Sequence, residues 1–334
     1  MSVVKKCFRL LQLRQHFDKW FAEREVIAYL KSWNPKLKQD WYGNLYLINP
    51  GTPLLNAHMD TVQSAQCVQN LKSLRLVKWI IRAKDAVIWW DDKCGIAIAM
   101  ELYERLWDKV SLLFTRQEEV WAVGAGNFVA NHSNLLAECK YCLTLDRRNG
   151  WDIIWYSNEY CSAEFQNEIF RLIKEFWYKP THWLLSDANK ISTILNCVNL
   201  SVGYYNPHQK TEYIKCDELI NACEAAQYIV EHLTDDFPIY KKPTYQSNSK
   251  YNQPSLYNYP LSDDDEDDDY GRKLKERWNK YRKDRDDKLN EYFTYLNWKV
   301  IVKKDIFLTD TTDDSNRAEL AAGTYNLLEV SEIY

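Results

Sequence analysis

The sequence predicts an α/β fold built on a mostly parallel sheet, and three observations carry that expectation. Short apolar runs alternate with stretches of helical periodicity. Segments rich in metal-binding side chains follow several of those runs. Their spacing is 33 residues from His58 to Asp91, 27 from Asp91 to Glu118, 27 from Glu119 to Asp146 and 62 from Asp146 to His208. Each of the first three gaps suits a strand, a crossover helix and a strand, which would return the chain to one edge of a parallel sheet every time.

Taken in order, Glu23 to Trp33 reads as a helix with Val26, Ile27, Leu30 and Trp33 on one face. Asn44 to Ile48 and Leu54 to Ala57 read as strands, and Gly95 to Leu106 as a helix after the loop that holds Asp91. Val110 to Thr115 is an apolar strand leading into a Glu pair, Tyr141 to Leu145 one leading into Asp146, and Val198 to Val202 one leading toward His208. Between Asp146 and His208 there is room for a helix around Ala163 to Phe176, the L-L-S-D-A-N-K-I segment with Asp187, and a strand.

Five segments hold the candidate ligands: N-A-H-M-D-T-V (His58, Asp60), W-W-D-D-K-C-G (Asp91), R-Q-E-E-V (Glu118, Glu119), L-T-L-D-R-R (Asp146) and Y-Y-N-P-H (His208). Two divalent ions sharing a carboxylate need a bridging Asp, one His and one further carboxylate on each ion, and a free Glu to move protons. The inventory meets that need. Taken singly, an H-x-D pair is usually a loop pair and Glu-Glu a solvated helix start; five segments in order point to a site. His16, His132, His182 and His232 lack the flanking pattern and read as surface or packing histidines, with His182 a weaker candidate for substrate contact.

In these segments the chain resembles the co-catalytic zinc exopeptidases, whose members include peptidase T-like tripeptidases, carboxypeptidase G, the acylase and desuccinylase group, and lidless aminopeptidases. The resemblance covers roughly residues 20 to 235, with A-H-M-D-T-V, D-D-K-C-G-I and F-T-R-Q-E-E-V matching in order. It implies a three-layer sandwich with a mixed, mostly parallel central sheet. Carried over residue by residue, it makes Asp91 the bridging ligand, places His58 and Asp146 on one metal and Glu119 and His208 on the other, and leaves Glu118 as general base. Asp60 would accept the second ring N–H of His58 and fix its tautomer.

The implied cofactors are two divalent metal ions, zinc first, with cobalt or manganese as alternatives. The implied activity is exopeptidase cleavage of short peptides. Amidohydrolases that remove acyl groups from amino acids share the architecture, and a non-catalytic binding descendant would keep the fold; intact ligands and an intact Glu118 count against the last. The gap before His208 has no room for the lid domain of many relatives, so a lidless chain is expected, and substrate length is not carried over.

Of the 334 residues 46% are apolar, yet no apolar run approaches the ~20 a membrane span needs. The start, M-S-V-V-K-K-C-F-R-L-L-Q-L-R, is interrupted by Arg9 and Arg14 and predicts no secretory signal. Nine cysteines without regular spacing argue for free thiols in a reducing compartment, hence a cytoplasmic protein. Cys139 and Cys142 form a lone C-x-x-C, for which free thiols are expected over structural zinc.

After residue 240 the character changes. The expected organisation is a catalytic domain over 1–240, an acidic low-complexity linker over 241–272 with seven carboxylates from Asp263 to Asp269, and a small α+β appendage over 273–334. Without those seven charges the formal net charge moves from −4 to +3, so the acidity is local. Asp284, Asp286 and Asp287 break up the charge of the helix expected from Arg272 to Phe293, which argues against nucleic-acid binding. The appendage is expected to dock on the core or on a protein partner.

Glycine is scarce and tryptophan abundant: there are 9 Gly and 14 Trp, against the ~23 Gly that usual composition would give. Trp89, Trp90, Trp121, Trp151, Trp155 and Trp183 fall where turn geometry and the family pattern call for Gly. One account is a Trp-rich binding surface. The sharper one is a source organism that reads UGA as glycine, the printed sequence having been translated with that codon as Trp.

Overall fold

Alternating strands and helices account for most of what the computed structural model describes, namely residues 2–13, 23–62, 74–83, 87–88, 91–154, 161–181, 185–237 and 324–326. In chain order they form α1 (Val3–Leu11), α2 (Arg24–Trp33), β1 (Lys38–Gln39), β2 (Leu45–Leu47), β3 (Leu54–His58), β4 (Leu74–Val77), β5 (Ile80–Ala83), α3 (Lys93–Leu106), β6 (Ser111–Thr115) and α4 (Val123–Leu136). Then follow β7 (Cys142–Arg147), β8 (Asp152–Ile154), α5 (Ala163–Ile173), β9 (Lys179–Thr181), α6 (Asp187–Ile191), β10 (Cys197–Ser201), β11 (Tyr204–Tyr205), β12 (Tyr213–Lys215), α7 (Cys216–His232) and β13 (Thr324–Asn326).

The main sheet has the order β1-β2-β6-β3-β7-β10-β8-β9. Its centre, β6, β3, β7 and β10, is parallel, while β2 and β8 flank it antiparallel. Strands β3, β6 and β10 are buried at every position, as strands covered on both faces must be. Leu54, Cys142 and Cys197 pack with Phe128 and Leu136 of α4 and Ala188 and Ile191 of α6, while α3 packs on β3 and β7 beneath α1 and α7. The result is the expected mixed, mostly parallel α/β sandwich. Among the described residues no separate domain is inserted between Asp146 and His208.

Helix α3 is buried along nearly its whole length, which its K-C-G-I-A-I-A-M sequence allows because it carries apolar residues all round. Lys6 of α1 is fully buried and crosses to Glu101 at 2.5 Å and Glu104 at 2.8 Å. Stripping a partner from such a buried pair costs about 3–5 kcal/mol. Gly95 is required in the first turn of α3, since a Cβ there would stand 2.0 Å from the Leu145 carbonyl oxygen. That contact sets the helix directly against the end of β7, next to Asp146.

The first interval differs from expectation. Between His58 and Asp91 the described residues form the hairpin β4–β5 rather than a crossover helix. The 3.6-residue period is absent there, and L-R-L-V and I-I-R-A alternate as strands do. The hairpin belongs to a second sheet, ordered β11-β12-β5-β4-β13. The helix expected from Gly95 begins at Lys93, because the Asp92 side chain caps it by accepting from the Gly95 N–H at 2.9 Å. The helix expected to reach Phe176 turns into a 3-10 turn at Lys174–Phe176.

Among the described residues four tryptophans have a positive φ: Trp79 (φ 65°), Trp107 (φ 53°), Trp121 (φ 67°) and Trp177 (φ 66°). For a residue with a Cβ such a conformation costs about 1–2 kcal/mol. Trp107, Trp121 and Trp177 are also 57%, 76% and 62% exposed. Trp151 is 45% exposed without a positive φ. Trp89, Trp90, Trp155 and Trp183 lie outside the described residues, as do His16 and His182. His132 packs on Phe128 and Tyr46, and His232 stacks on Tyr228.

The chain divides into one unit of Met1–Lys242 with Glu319–Tyr334 and another of Pro243–Ala318. The acidic segment and all of the terminal segment but β13 lie outside the described residues; β13 pairs antiparallel with β4. Among the described residues no helix is long and apolar enough to cross a membrane. Cys139, Cys142 and the other described cysteines are free thiols.

Candidate metal centre

Parallel strands deliver their last side chains to one edge, and three of the candidate ligand segments stand there. His58 is the final residue of β3, Glu118 and Glu119 follow β6, and Asp146 lies near the end of β7. Asp91 precedes α3 by two positions, joined to Asp92 by a cis peptide bond. His208 comes from the second sheet, on the turn between β11 and β12, with φ at 64°.

The five candidate ligands form two trios that share Asp91. In the first, His58 Nε2 stands 3.2 Å from Asp91 Oδ1 and 3.4 Å from Asp146 Oδ1. In the second, His208 Nε2 stands 3.6 Å from Asp91 Oδ2 and 3.5 Å from Glu119 Oε1. The two oxygens of Asp91 thus face different histidines. Glu118 belongs to neither trio, and its Oε2 lies 3.9 Å from His58 Nε2.

The donor set fits a pair of divalent ions. Each trio combines one imidazole with carboxylates, the mixture zinc and its first-row neighbours take. Glu119 Oε1 is buried and accepts no hydrogen bond, so its lone pairs are free for a cation. Burial raises Glu118 well above the usual carboxylate range, and Asp146 nearby adds to the effect. Burial also raises Glu119 and Asp146, whereas at Asp91 its effect is overcome by His58 and His208, which hold that carboxyl low. At His58 burial favours the neutral ring, but Asp146, Asp60 and Asp91 outweigh it and raise the ring.

Asp60 does more than the resemblance implies. His58 Nδ1 lies 2.9 Å from the Asp60 carbonyl oxygen and 3.4 Å from its carboxylate Oδ1, so the backbone is the nearer partner of the ring. The carboxylate accepts from the backbone N–H of Glu118 at 2.9 Å and of Glu119 at 3.2 Å. The expected ring partner, the carboxylate, is thus replaced by the backbone: Asp60 holds the His58 ring through its carbonyl and the turn that carries both glutamates through its carboxylate.

Three supporting residues escape a reading of the motifs. Asp92 accepts from the His58 backbone N–H at 3.3 Å as well as capping α3. Glu212, 3% exposed, accepts from the His208 N–H at 2.6 Å and the Ile88 N–H at 2.8 Å, holding the His208 turn to the segment before Asp91. Tyr204 donates to the Asp146 carbonyl at 3.0 Å. Only Asp92 had a signal, its place in D-D-K; Glu212 sits among ordinary loop residues.

No protein-family model and no curated protein matches the sequence. Solved structures do match in fold. The aminopeptidase PepT from Bacillus cereus superposes with a TM-score of 0.58 at 17% identity, covering 70% of this chain and 98% of that one. A tripeptidase from Staphylococcus aureus gives 0.54 at 14%, covering 70% and 98%. An aminopeptidase from the archaeon Desulfurococcus kamchatkensis gives 0.50 at 14%, covering 69% and 94%. At these identities the likeness establishes a shared fold.

Proposed function

We propose that the chain is a metal-dependent exopeptidase that hydrolyses short peptides. The observation that carries this reading is the pair of trios sharing Asp91 with a third carboxylate, Glu118, beside them and outside both. His58, Asp91 and Asp146 would hold one divalent ion, and Asp91, Glu119 and His208 the other; zinc is the first candidate. Such ions supply positive charge that polarises a carbonyl and makes water a nucleophile near neutral pH.

The chain's own part in the chemistry falls to Glu118. Its carboxyl is buried, rests next to the ligands, and has an affinity for protons raised by burial. It takes a proton from the attacking water and returns it to the leaving amine as the C–N bond breaks. Asp60 keeps Glu118 in place by holding its backbone N–H, and the adjacent Glu119 turns to the other trio. The two neighbouring carboxylates on the turn after β6 thus take different tasks. The names of the structurally similar proteins, an aminopeptidase and a tripeptidase, support peptides as substrates.

The test is metal analysis of the purified protein followed by a screen of short peptides against N-acyl amino acids. Peptide hydrolysis that stops on chelation and returns with zinc, cobalt or manganese is expected. Turnover of acyl-amino acids alone would favour the deacylase reading, and a protein that binds no metal or turns over neither class would sink both.

A further inference from the structure

On the strand faces that carry the candidate ligands, polar side chains stand beside them and one pleat below. Asn56 precedes His58 by two positions, Thr144 precedes Asp146 by two, and Thr115 pairs directly with His58 in the β3–β6 register. Leu54 and Cys142, one pleat lower again, belong to the apolar core, as does Leu113 beside Asn56. A polar belt therefore separates the core from the metal ligands. Its hub is Asp187, at the start of α6 and 1% exposed. Asp187 Oδ2 accepts from Thr115 Oγ1 and from Asn56 Nδ2, and Thr144 Oγ1 in turn donates to Asn56 Oδ1 at 3.1 Å.

We infer that Asp187 is a positioning residue for the metal centre, tying β3, β6 and β7 together immediately beneath His58, the Glu118–Glu119 turn and Asp146. The inference rests on the proposed function. Outer hydrogen-bonding partners of metal ligands typically change metal affinity or activity ~10- to 100-fold when removed. Asp187 acts one bond further out, through Thr115 and Asn56, so Asp187→Ala should weaken zinc binding severalfold and lower kcat more than it raises KM. Asp187→Asn, whose amide oxygen can accept from both Thr115 and Asn56, should restore most of the loss. Zinc titration by calorimetry reads the affinity, with thermal melts run on the same samples; if Asp187→Ala fails to fold, Thr115→Val removes one of the two bonds and should weaken zinc severalfold. Zinc affinity within twofold of the parent in the folded variants, or no rescue by Asn, would overturn the inference. A parent protein that binds no zinc would instead sink the proposed function.

A separate observation carries a second inference. Lys78 and Trp79 form a two-residue β4–β5 turn with φ of 49° and 65°, the mirror-image turn in which Gly is strongly preferred. Trp107 closes α3 and Trp177 closes the 3-10 turn after α5, both with positive φ at the helix end where Gly is the usual residue. Trp121 follows Glu119 by two and lies at φ 67° just before α4. We infer that the native protein carries glycine at 79, 107, 121 and 177, by decoding of UGA as glycine. Peptide mass spectrometry of the protein from its own cells should find Gly at these positions, and a recombinant chain with the four glycines should melt higher than the Trp form. Trp in the native peptides, or a lower melting temperature for the glycine form, would end the idea.

Discussion

The two halves of the candidate centre are built differently. The half formed by His58 and Asp146 grows out of central parallel strands, with side chains 1% and 8% exposed. The half formed by Glu119 and His208 depends on two turns, with side chains 16% and 35% exposed, and His208 comes from the second sheet. A rigid sheet edge fixes the first, whereas the Asp60 and Glu212 carboxylates hold the backbone of the second. The difference teaches that the proposed site would combine a half set by sheet geometry with a half set by side-chain bonds to turns, joined at Asp91.

The comparison is tested most severely at the joint. Asp91→Ala removes a ligand from both trios, so both ions should be lost and hydrolysis should fall to background; metal analysis showing one ion retained would mean the halves are independent. Next in size is Glu118→Gln, expected to keep both ions and the fold while turnover drops ~10²–10⁴-fold. Glu119→Gln should instead weaken the outer ion. Metal loss in the first variant with retention in the second would exchange the roles assigned to these glutamates.

A smaller effect separates the halves directly. His208→Ala should release one ion and leave the other bound, and stepwise chelation of the parent should remove the outer ion first, since its ligands are more exposed and less constrained. His58→Ala should cost more, because Asp60, Asp91, Asp92 and Asp146 are all arranged around that residue. Equal loss in the two histidine variants, read as metal per chain after dialysis, would erase the distinction.

Legibility in the sequence followed the same division. The buried strands β3, β6 and β7 announce themselves as apolar runs ending at candidate ligands, whereas Asp91 and His208 follow no such run directly and are read from motif and resemblance. Helix α4 fills the crossover that the 27-residue gap from Glu119 to Asp146 predicts, although V-G-A-G weakens its local signal; Gly124 stands there because a Cβ would meet the Arg116 carbonyl oxygen at 1.9 Å. The hairpin β4–β5 was missed because spacing alone cannot tell a crossover helix from two short strands. Glu212 and Asp187 act through contacts far apart in sequence, 124 residues to Ile88 and 131 to Asn56, which no local motif encodes.

The smallest effect concerns the C-terminal segment. Every candidate ligand precedes residue 240, so removal of 241–334 should leave a folded, metal-binding chain. The truncation also removes β13, which covers the edge of β4 in the sheet whose β11–β12 turn carries His208. An uncovered edge loosens a strand pair without touching the main sheet. Zinc affinity at the outer half should therefore fall a fewfold while the inner half keeps its affinity, a split that titration of the truncated and full chains would show. Equal weakening of both ions, or loss of cooperative unfolding, would mean that the tail supports the central sheet itself and that the division between the two halves is not drawn by the sheets.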